Sequence, residues 1–414
     1  MTLGLLASAA ILFYIGANDT FGALTYGWRV TGILFVAAAL IDLFGVLAAF
    51  DYWGKRVVRY SGAVLLVGVG IVVVTDSILL ALQLRGGEFT ALLLLWCGLA
   101  LWAAWALWVL VHQKVWQGVP HPKNVALGVL TSGVVGVASL VYSQVYLPSS
   151  APTHTIFKVS MGVPTMNEDG ASLDVPVHFE FRNSASMRMY VVGSMWKLVG
   201  DAIKFSPAAA GVDVWKQEYL FGGGFYRHSL SSPVYIFGAG RGIAPGAWLD
   251  PGDDFSVDSL VNVPLKVGLT HIRAIGELSF IRGDKFTLGD RQIAVSWNPY
   301  SKNKEHLRDA PKWVANPGDE WVRNYSRVYR SSEMLNMTMP ASYVSAWSIL
   351  PRWHQGLAFA KGDTDPDLVI TTSRGVRLAK SSHDSSVPDV VENLNTTRET
   401  DTQTVAHLLE MAKR

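Results

Sequence analysis

The sequence predicts a membrane α-helical bundle of four or five transmembrane helices, followed by an extracytoplasmic all-β sandwich. Two observations predict this fold class. Half of the 414 residues are hydrophobic and only 16% are charged, which is too apolar for an ordinary soluble protein, and nearly all of the excess lies before Leu147. After a break at Pro148 to Pro152, the composition becomes ordinary, and short runs of alternating apolar and polar residues indicate strands.

The N-terminal domain, residues 1–147, contains five apolar runs: 3–17, 30–50, 62–84, 91–111 and 125–147. The last run has 23 uncharged residues, about 34 Å of helix, which is enough to cross a bilayer core of about 30 Å. The first run reaches only about 22 Å, so it either spans a thinned bilayer or acts as a signal sequence. We favour an uncleaved span, because no Lys or Arg precedes the run and no clear cleavage site follows it.

The short loops predict the orientation of these helices. Positive charges are retained on the cytoplasmic side of a membrane. Five of them lie in the loops that follow the second and fourth runs, at Lys55, Arg56, Arg59, Lys114 and Lys123, whereas the opposite side has Arg29 and Arg85. We therefore expect a multi-pass protein of the cell membrane whose C-terminal domain is extracytoplasmic, and whose N-terminus is cytoplasmic if all five spans are real.

Strand patterns fill residues 155–308, which follow a short linker at 148–154. The clearest is 173–182, where apolar and polar residues alternate, and 156–161 is its candidate hairpin partner. Pro176 cannot donate to a strand ladder, so it predicts an edge strand or a bulge. Similar patterns occur at 189–199, 234–237, 255–263, 271–280 and 292–297. This many short strands indicates a two-sheet sandwich, for which an immunoglobulin-like topology is one interpretation.

Two further regions follow the predicted sandwich. Residues 309–378 are rich in Trp and Tyr, which predicts a packed extension rather than a linker. Residues 379–414 are rich in Ser, Thr and Asp, which predicts a mobile polar tail. The tail ends in a short helix, since Val405, Leu408 and Leu409 would share one helical face.

Two acidic residues, Asp42 and Asp76, lie inside the predicted spans. A charged residue in mid-bilayer costs about 2.5–3.5 kcal/mol on insertion scales. No Lys or Arg lies within any run, so the acids must be protonated, face water or accept hydrogen bonds. They are protonated groups that pack between helices, or members of a proton or ion relay, or the sign of a misplaced span, and we favour the first.

The last apolar run offers partners for these acids. Ser132 and Ser139 lie at depths that match Asp42 and Asp76, by counting about 1.5 Å per residue. Gly128, Ser132 and Gly136 recur every four residues, a spacing that lets another helix approach closely. We therefore hypothesise that this face packs against the second and third helices. Trp96, Trp102, Trp105 and Trp108 crowd the fourth run, as either core and interfacial residues or a lipid-stacking site, and we favour the former.

Metal, cofactor and catalytic signatures are weak or missing. Asp363, Asp365 and Asp367 alternate as at the start of a calcium loop, but Arg374 occupies the position of the closing Glu, so we expect no metal. The sequence suggests no cofactor and contains no Gly-x-Ser-x-Gly or His-Glu-x-x-His motif. His178 lies in a strand-like stretch without an adjacent acid at a useful spacing. An enzyme is therefore uncertain and less favoured than a non-catalytic protein.

Composition also limits the partners. No block of Lys and Arg is present, so we expect no nucleic acid as a partner. The single cysteine, Cys97, excludes an intramolecular disulfide. The expected partners are the lipid bilayer and, through the exported domain, proteins or other components of the cell envelope that the chain binds or organises. The alternative function is a subunit of a transport or signal-sensing system that uses Asp42 and Asp76.

Overall fold

A computed structural model describes residues 1–58, 60–86, 91–115, 155–202, 204–205, 211–213, 216, 220, 229–230, 234–290, 292–297, 310–315, 319–350, 358–360, 367–378, 381 and 386–414. The chain forms two compact units. The helical unit comprises Met1–Pro152, Gly283–Thr287 and Val328–Ala341, and the β-rich unit comprises Thr153–Arg282, Leu288–Arg327 and Ser342–Arg414. The predicted fifth span at 125–147 and the linker at 148–154 lie outside the described residues.

Four long helices begin the chain: α1 (Thr2–Gly22), α2 (Tyr26–Trp53), α3 (Ser61–Gly86) and α4 (Ala91–His112). All four are long and apolar enough to cross a membrane, by length and composition. The first is longer than the apolar run suggested, because 18–22 continue the helix. Its 21 residues span about 32 Å, so the expected shortfall in length was wrong.

Glycines allow these helices to approach one another closely. A Cβ atom added at Gly32 of α2 would lie 2.4 Å from the backbone nitrogen of Thr20, and one added at Gly16 would lie 2.8 Å from the carbonyl oxygen of Gly32. Gly45 of α2 and Gly68 of α3 also face each other, since a Cβ at Gly68 would lie 3.5 Å from the Cα of Gly45. Backbone contacts of this kind are typical of helices packed in a membrane.

The remaining helices are short. They include α5 (Glu333–Thr338), which belongs to the helical unit, and α6 (Pro388–Val391) and α7 (Val405–Ala412), which belong to the β-rich unit. A 3₁₀ turn lies at Leu265–Val267.

Antiparallel strands form the β-rich region. They are β1 (Thr155–Met161), β2 (Thr165–Met166), β3 (Ser172–Asn183), β4 (Met189–Asp201), β5 (Lys204–Phe205), β6 (Ser229–Leu230), β7 (Val234–Gly240), β8 (Trp248–Leu249), β9 (Asp254–Pro264), β10 (His271–Arg282), β11 (Phe286–Leu288), β12 (Gln292–Trp297), β13 (Glu320–Arg330), β14 (Ser342–Leu350), β15 (Ala358–Ala360), β16 (Asp367–Ser373) and β17 (Leu394–Thr404). The predicted strands of the sandwich all lie within this set.

Three larger sheets are built from these strands. The first has the order β1-β3-β2 with β9 on β3, the central sheet has the order β15-β7-β4-β10-β17 with β8 on β4, and the third has the order β11-β13-β14-β16 with β12 on β13. The pair β5-β6 forms a separate ladder. The division between the two units falls inside β11 and β13.

A hydrophobic core joins the first sheet to the central sheet. Val175 and Val177 of β3 pack with Leu198 of β4 and Ile272 of β10, and all four are buried. The opposite face of the central sheet also carries a layer, because Gly193 of β4 lies against Ala346 and Leu368 of the third sheet. The sequence indicated two layers, whereas β4 is covered on both faces. An immunoglobulin-like topology stays a prediction.

The C-terminal region differs from the predicted mobile tail. β17 pairs with β10 along eleven residues, from Leu394 opposite Ile281 to Thr404 opposite His271. The expectation of a mobile segment over 394–404 was wrong, because Thr has a high strand propensity and an edge strand can be polar. The short helix follows as α7, with Val405 and Leu408 buried.

Pro176 occupies a gap in the ladder of β3, and β3 is not an edge strand. β9 pairs with one side of β3, while β1 and β2 share the other side. β1 ends opposite Val177 and β2 begins opposite Asp174, so Pro176 falls between them. The Gly162 nitrogen donates to the Pro176 oxygen over 2.8 Å. Pro176 has no N–H to donate, and it lies where the ladder with β1 and β2 is interrupted, so no ladder hydrogen bond from its nitrogen is needed there.

Candidate functional site

A polar cluster lies inside the helical unit, around Ser8 of α1 and Asp42 of α2. Asp42 is fully buried. The Ser8 hydroxyl donates a hydrogen bond of 2.8 Å to Oδ2 of Asp42, while Oδ1 has no partner among the described residues. A serine within a helix often bonds the carbonyl one turn earlier, whereas here it joins two helices.

Asp76 of α3 and Trp96 of α4 extend the cluster. Asp76 is 3% exposed and Trp96 is fully buried. Neither carboxylate oxygen of Asp76 has a hydrogen-bond partner among the described residues. The indole Nε1 of Trp96 has none there either. Both side chains line one cavity of about 10 Å³, together with Ser8, Thr75 and aliphatic residues. Buried polar groups without partners are uncommon in folded proteins, so this cavity is the candidate site.

A third acid, Asp19, caps a segment that is distant in sequence. Asp19 is fully buried near the end of α1. Its Oδ1 accepts a hydrogen bond from the backbone nitrogen of Glu333, and its Oδ2 accepts one of 3.5 Å from that of Met334. These residues begin α5, so the Asp19 carboxylate meets the positive end of that short helix.

Other contacts hold α5 in the helical unit. The backbone nitrogen of Leu24 donates to the oxygen of Ser331 over 3.0 Å. The Ser332 hydroxyl accepts a hydrogen bond of 3.2 Å from the nitrogen of Leu335, which caps α5 locally. Met334 is buried in a cluster with Leu12, Leu79, Trp96 and Leu99. The last four residues also line the cavity of Asp76, so α5 packs on the walls of that cavity.

The sequence located two members of this cluster and missed the others. Asp42 and Asp76 are visible as charges within apolar runs. Asp19 lies just beyond the predicted limit of the first run, and Ser8 is one of many small residues in it. Ser8 and Asp42 both lie in the half of their helix nearer the predicted cytoplasmic end, but this position does not distinguish Ser8 from its small neighbours.

The hypothesis that the fifth run supplies the partners stays a prediction. Gly128, Ser132, Gly136 and Ser139 lie outside the described residues. The structure provides Asp42 with a hydroxyl from α1 instead. Partners from the fifth run would therefore be additional to Ser8.

The remaining candidates are dispersed. Asp363 and Asp365 lie outside the described residues, and Asp367 is an exposed residue that begins β16. Among the described residues, no group of three or more His, Cys, Asp or Glu residues could hold a metal ion. Of the tryptophans in α4, Trp96 is in the core, whereas Trp105 and Trp108 are exposed.

One pair of surface side chains was not predicted from the sequence. Nδ1 of His178 on β3 lies 2.7 Å from Oδ1 of Asp258 on β9, because the two residues are opposite each other in register. The acid is eighty residues away in the chain, so no local motif could reveal it. The side chains are 42% and 82% exposed, so the contact is solvated and of small energetic value.

No protein family and no curated protein matches this chain. One similar solved structure is that of a protein from Bordetella pertussis described provisionally as ApaA. It is 12% identical, with a TM-score of 0.18, and the match covers 32% of this chain and 82% of that protein. A likeness of this size does not indicate a shared fold.

Proposed function

We propose that this chain is an integral membrane protein that displays its β-rich unit outside the cytoplasm, where that unit binds or organises cell-envelope components or partner proteins without catalysing a reaction. The observation that carries the proposal is α5. The chain of the β-rich unit returns to the helical unit at Val328–Ala341, and α5 is held there by the carboxylate of Asp19.

The outer surface of the helices supports membrane insertion. Only 28–39% of the residues in the apolar window of each helix are buried. The exposed residues include large apolar side chains on every helix, such as Phe13, Phe44, Val74, Leu94 and Leu101. A soluble protein rarely exposes apolar patches of this extent, whereas lipid chains would cover them.

The position of α5 supports export of the β-rich unit. Asp19 and Leu24, which bind this segment, lie at the end of the bundle where α1 ends and α2 begins. Lys55 and Arg56 lie at the opposite end, in the loop between α2 and α3. Positive loops are retained in the cytoplasm, so the α5 end would face outward.

The contacts of α5 distinguish a β-rich unit that is displayed by the helices from one that is only tethered to them. A helix that only tethers a domain needs no contact with the chain that follows. Here a buried carboxylate, a backbone hydrogen bond and the buried side chain of Met334 secure a segment from beyond residue 327. The chain thus passes between the two units at several points along the sequence.

Site-specific photocrosslinking in intact cells tests the proposal. A photoreactive residue would replace Leu260 or Ser256, which are exposed on β9, and the full-length protein would be purified with whatever is attached to it. We expect a defined set of envelope proteins or polymers. A probe at Val391, an exposed residue on α6, is the matched control. No crosslinked partner from β9, or the same set from Val391, would argue against a specific binding role.

A further inference from the structure

The cavity beside Asp76 contains hydrogen-bonding groups of both kinds. The two oxygens of Asp76 accept, and the indole N–H of Trp96 can only donate. Both groups are buried beyond nine-tenths and have no partner among the described residues. They line the same cavity, yet they are not bonded to each other. A ligand that joins them in both protonation states of Asp76 must therefore accept from Trp96, donate to the ionised carboxylate and accept from the protonated carboxyl group.

The size of the cavity restricts that ligand. A volume of about 10 Å³ is close to the smallest that holds one water molecule, about 10–15 Å³. A bare cation would face the positive hydrogen of the indole N–H, and an anion would face the carboxyl group of Asp76. Water has the required donor and acceptor, and Ser8 and Thr75 provide further hydroxyl groups on the cavity wall.

We infer that this cavity binds one water molecule, which links Asp76 to Trp96 and, through Ser8, to Asp42, so that the two acids hold and exchange a proton. Ser8 serves both sides of this link, because it lines the cavity and donates to Asp42. The inference concerns the helical unit alone and does not depend on the binding role of the β-rich unit.

The surroundings favour a bound proton over a counter-ion. The other residues that line the cavity are Ser8, Thr75, Trp96 and aliphatic side chains, with no Lys, Arg or His among them. The titratable group that the contacts bring to this cavity is Asp42 of α2, through its hydrogen bond with Ser8. Two acids therefore meet here without a basic residue in the cavity wall, and a proton shared between them avoids two buried negative charges.

The exchange step moves one proton and no electrons. The proton leaves the carboxyl group of Asp76 for the water, the water passes a proton to the Ser8 oxygen, and the Ser8 hydroxyl proton passes to Oδ2 of Asp42. The O–H bonds formed equal those broken, and the negative charge moves from Asp42 to Asp76. No oxidant, reductant or metal is needed.

Infrared spectroscopy of the full-length protein in lipid nanodiscs at neutral pH tests the inference. We expect a C=O band of a protonated buried carboxyl group, lost in Asp76→Asn or Asp42→Asn, and a bound-water O–H band that shifts in ¹⁸O-labelled water. Trp96→Phe removes the donor and keeps an aromatic ring, so it should abolish the water band and shift the carboxyl band. Trp105→Phe, on the exposed face of the same helix, should change neither band.

Several outcomes would overturn the inference. The first is a carboxyl band that neither Trp96→Phe nor Trp105→Phe affects. The second is the absence of any band that is sensitive to ¹⁸O-labelled water. The third is a set of bands that depend on sodium rather than on pH, which would indicate a cation site. Circular dichroism of each variant verifies folding. If the Asn variants fail to fold, the comparison of Trp96→Phe with Trp105→Phe decides the question alone.

Discussion

Asp19 is the residue on which the attachment of α5 most depends. Its carboxylate accepts backbone hydrogen bonds from Glu333 and Met334, and removing it leaves two buried donors without partners. We expect Asp19→Ala to lower the free energy of unfolding by about 1–3 kcal/mol and to speed proteolysis within 331–341, with Asp19→Asn intermediate because one oxygen remains. Chemical unfolding in detergent and limited proteolysis measure the two effects.

Asn18 provides the control for Asp19. It is the preceding residue of α1, it is exposed, and its side chain bonds its own helix at the Tyr14 oxygen over 2.9 Å. Asn18→Ala should leave both measurements near wild type. Equal protection of 331–341 in wild type and Asp19→Ala would show that the apolar contacts of Met334 hold α5 without the carboxylate.

Ser8 is the second residue with a specific consequence. Its hydroxyl is the one donor that the described residues offer to the Asp42 carboxylate. Ser8→Ala leaves that buried group without a partner, which should destabilise the protein by about 1–3 kcal/mol. Ser77→Ala is matched in chemistry, because Ser77 is exposed and bonds the Val73 oxygen of its own helix over 2.6 Å, and should cost little. Chemical unfolding in detergent measures the free energy of unfolding of both variants. An equal loss in Ser8→Ala and Ser77→Ala would disprove the role of Ser8.

The residue scale also shows what a sequence can reveal about this site. A charge within an apolar run is conspicuous, so Asp42 and Asp76 were found. The partners of those acids depend on which way each helix is rotated, and rotation is set by contacts such as that of Gly16 with Gly32. For that reason, Ser8 could not be chosen from among the other small residues of the first run.

At the scale of elements, glycine spacing determines how closely α1 and α2 pack. A Cβ at Gly32 would lie 2.4 Å from the Thr20 nitrogen, and backbone cannot move aside as a side chain can. We expect Gly32→Ala to destabilise the bundle by about 1–3 kcal/mol, the usual cost of overpacking. Thermal unfolding in detergent measures the change.

Gly70 gives the opposite expectation and serves as the control. Nothing lies within 4 Å of a Cβ added at Gly70, which is also inside a helix. Gly70→Ala should therefore be neutral or stabilising by up to about 1 kcal/mol, because alanine has the higher helix propensity. Destabilisation of the same size at both positions would mean that the contact between α1 and α2 is not as tight as described.

β17 is the element that separates the observed fold from the predicted one. Its pairing with β10 should protect amides within 394–404 from hydrogen exchange, whereas a mobile tail would exchange within the dead time. Mass spectrometry of exchanged peptides measures this. Thr400→Pro removes a backbone donor in mid-strand and should abolish the protection; rapid exchange of 394–404 in the wild type would refute the pairing.

The element scale explains why this strand was missed. The clearest predicted strand, 173–182, alternates apolar residues, which are buried, with more exposed polar ones. β17 alternates between partly covered and exposed positions with hardly any large apolar side chains. Its signal was the recurrence of Thr, a β-branched residue, and not a hydrophobic pattern.

At the scale of the whole molecule, composition was enough to separate a helical unit from a β-rich one. The division along the chain was not predictable, because Gly283–Thr287 and Val328–Ala341 belong to the helical unit although they lie far beyond the apolar runs. α5 has six residues, too few for a helical period, and its docking depends on Asp19 at a distance of more than 300 residues in sequence. The third sheet was missed for a related reason, since strand pairing between distant segments leaves no local pattern.

Orientation in the membrane is the prediction that tests this architecture as a whole. In a background of Cys97→Ser, single cysteines would replace Lys55, between α2 and α3, and Glu392, which follows α6 and is exposed. Because positive loops stay in the cytoplasm and α5 docks at the opposite end of the bundle, an impermeant maleimide should label Glu392→Cys in cells with an intact inner membrane and Lys55→Cys only after permeabilisation. The reverse pattern would place the β-rich unit in the cytoplasm and exclude display. Labelling of both positions in intact cells would contradict an odd number of membrane crossings between Lys55 and Glu392, which α3, α4 and the predicted fifth span would supply.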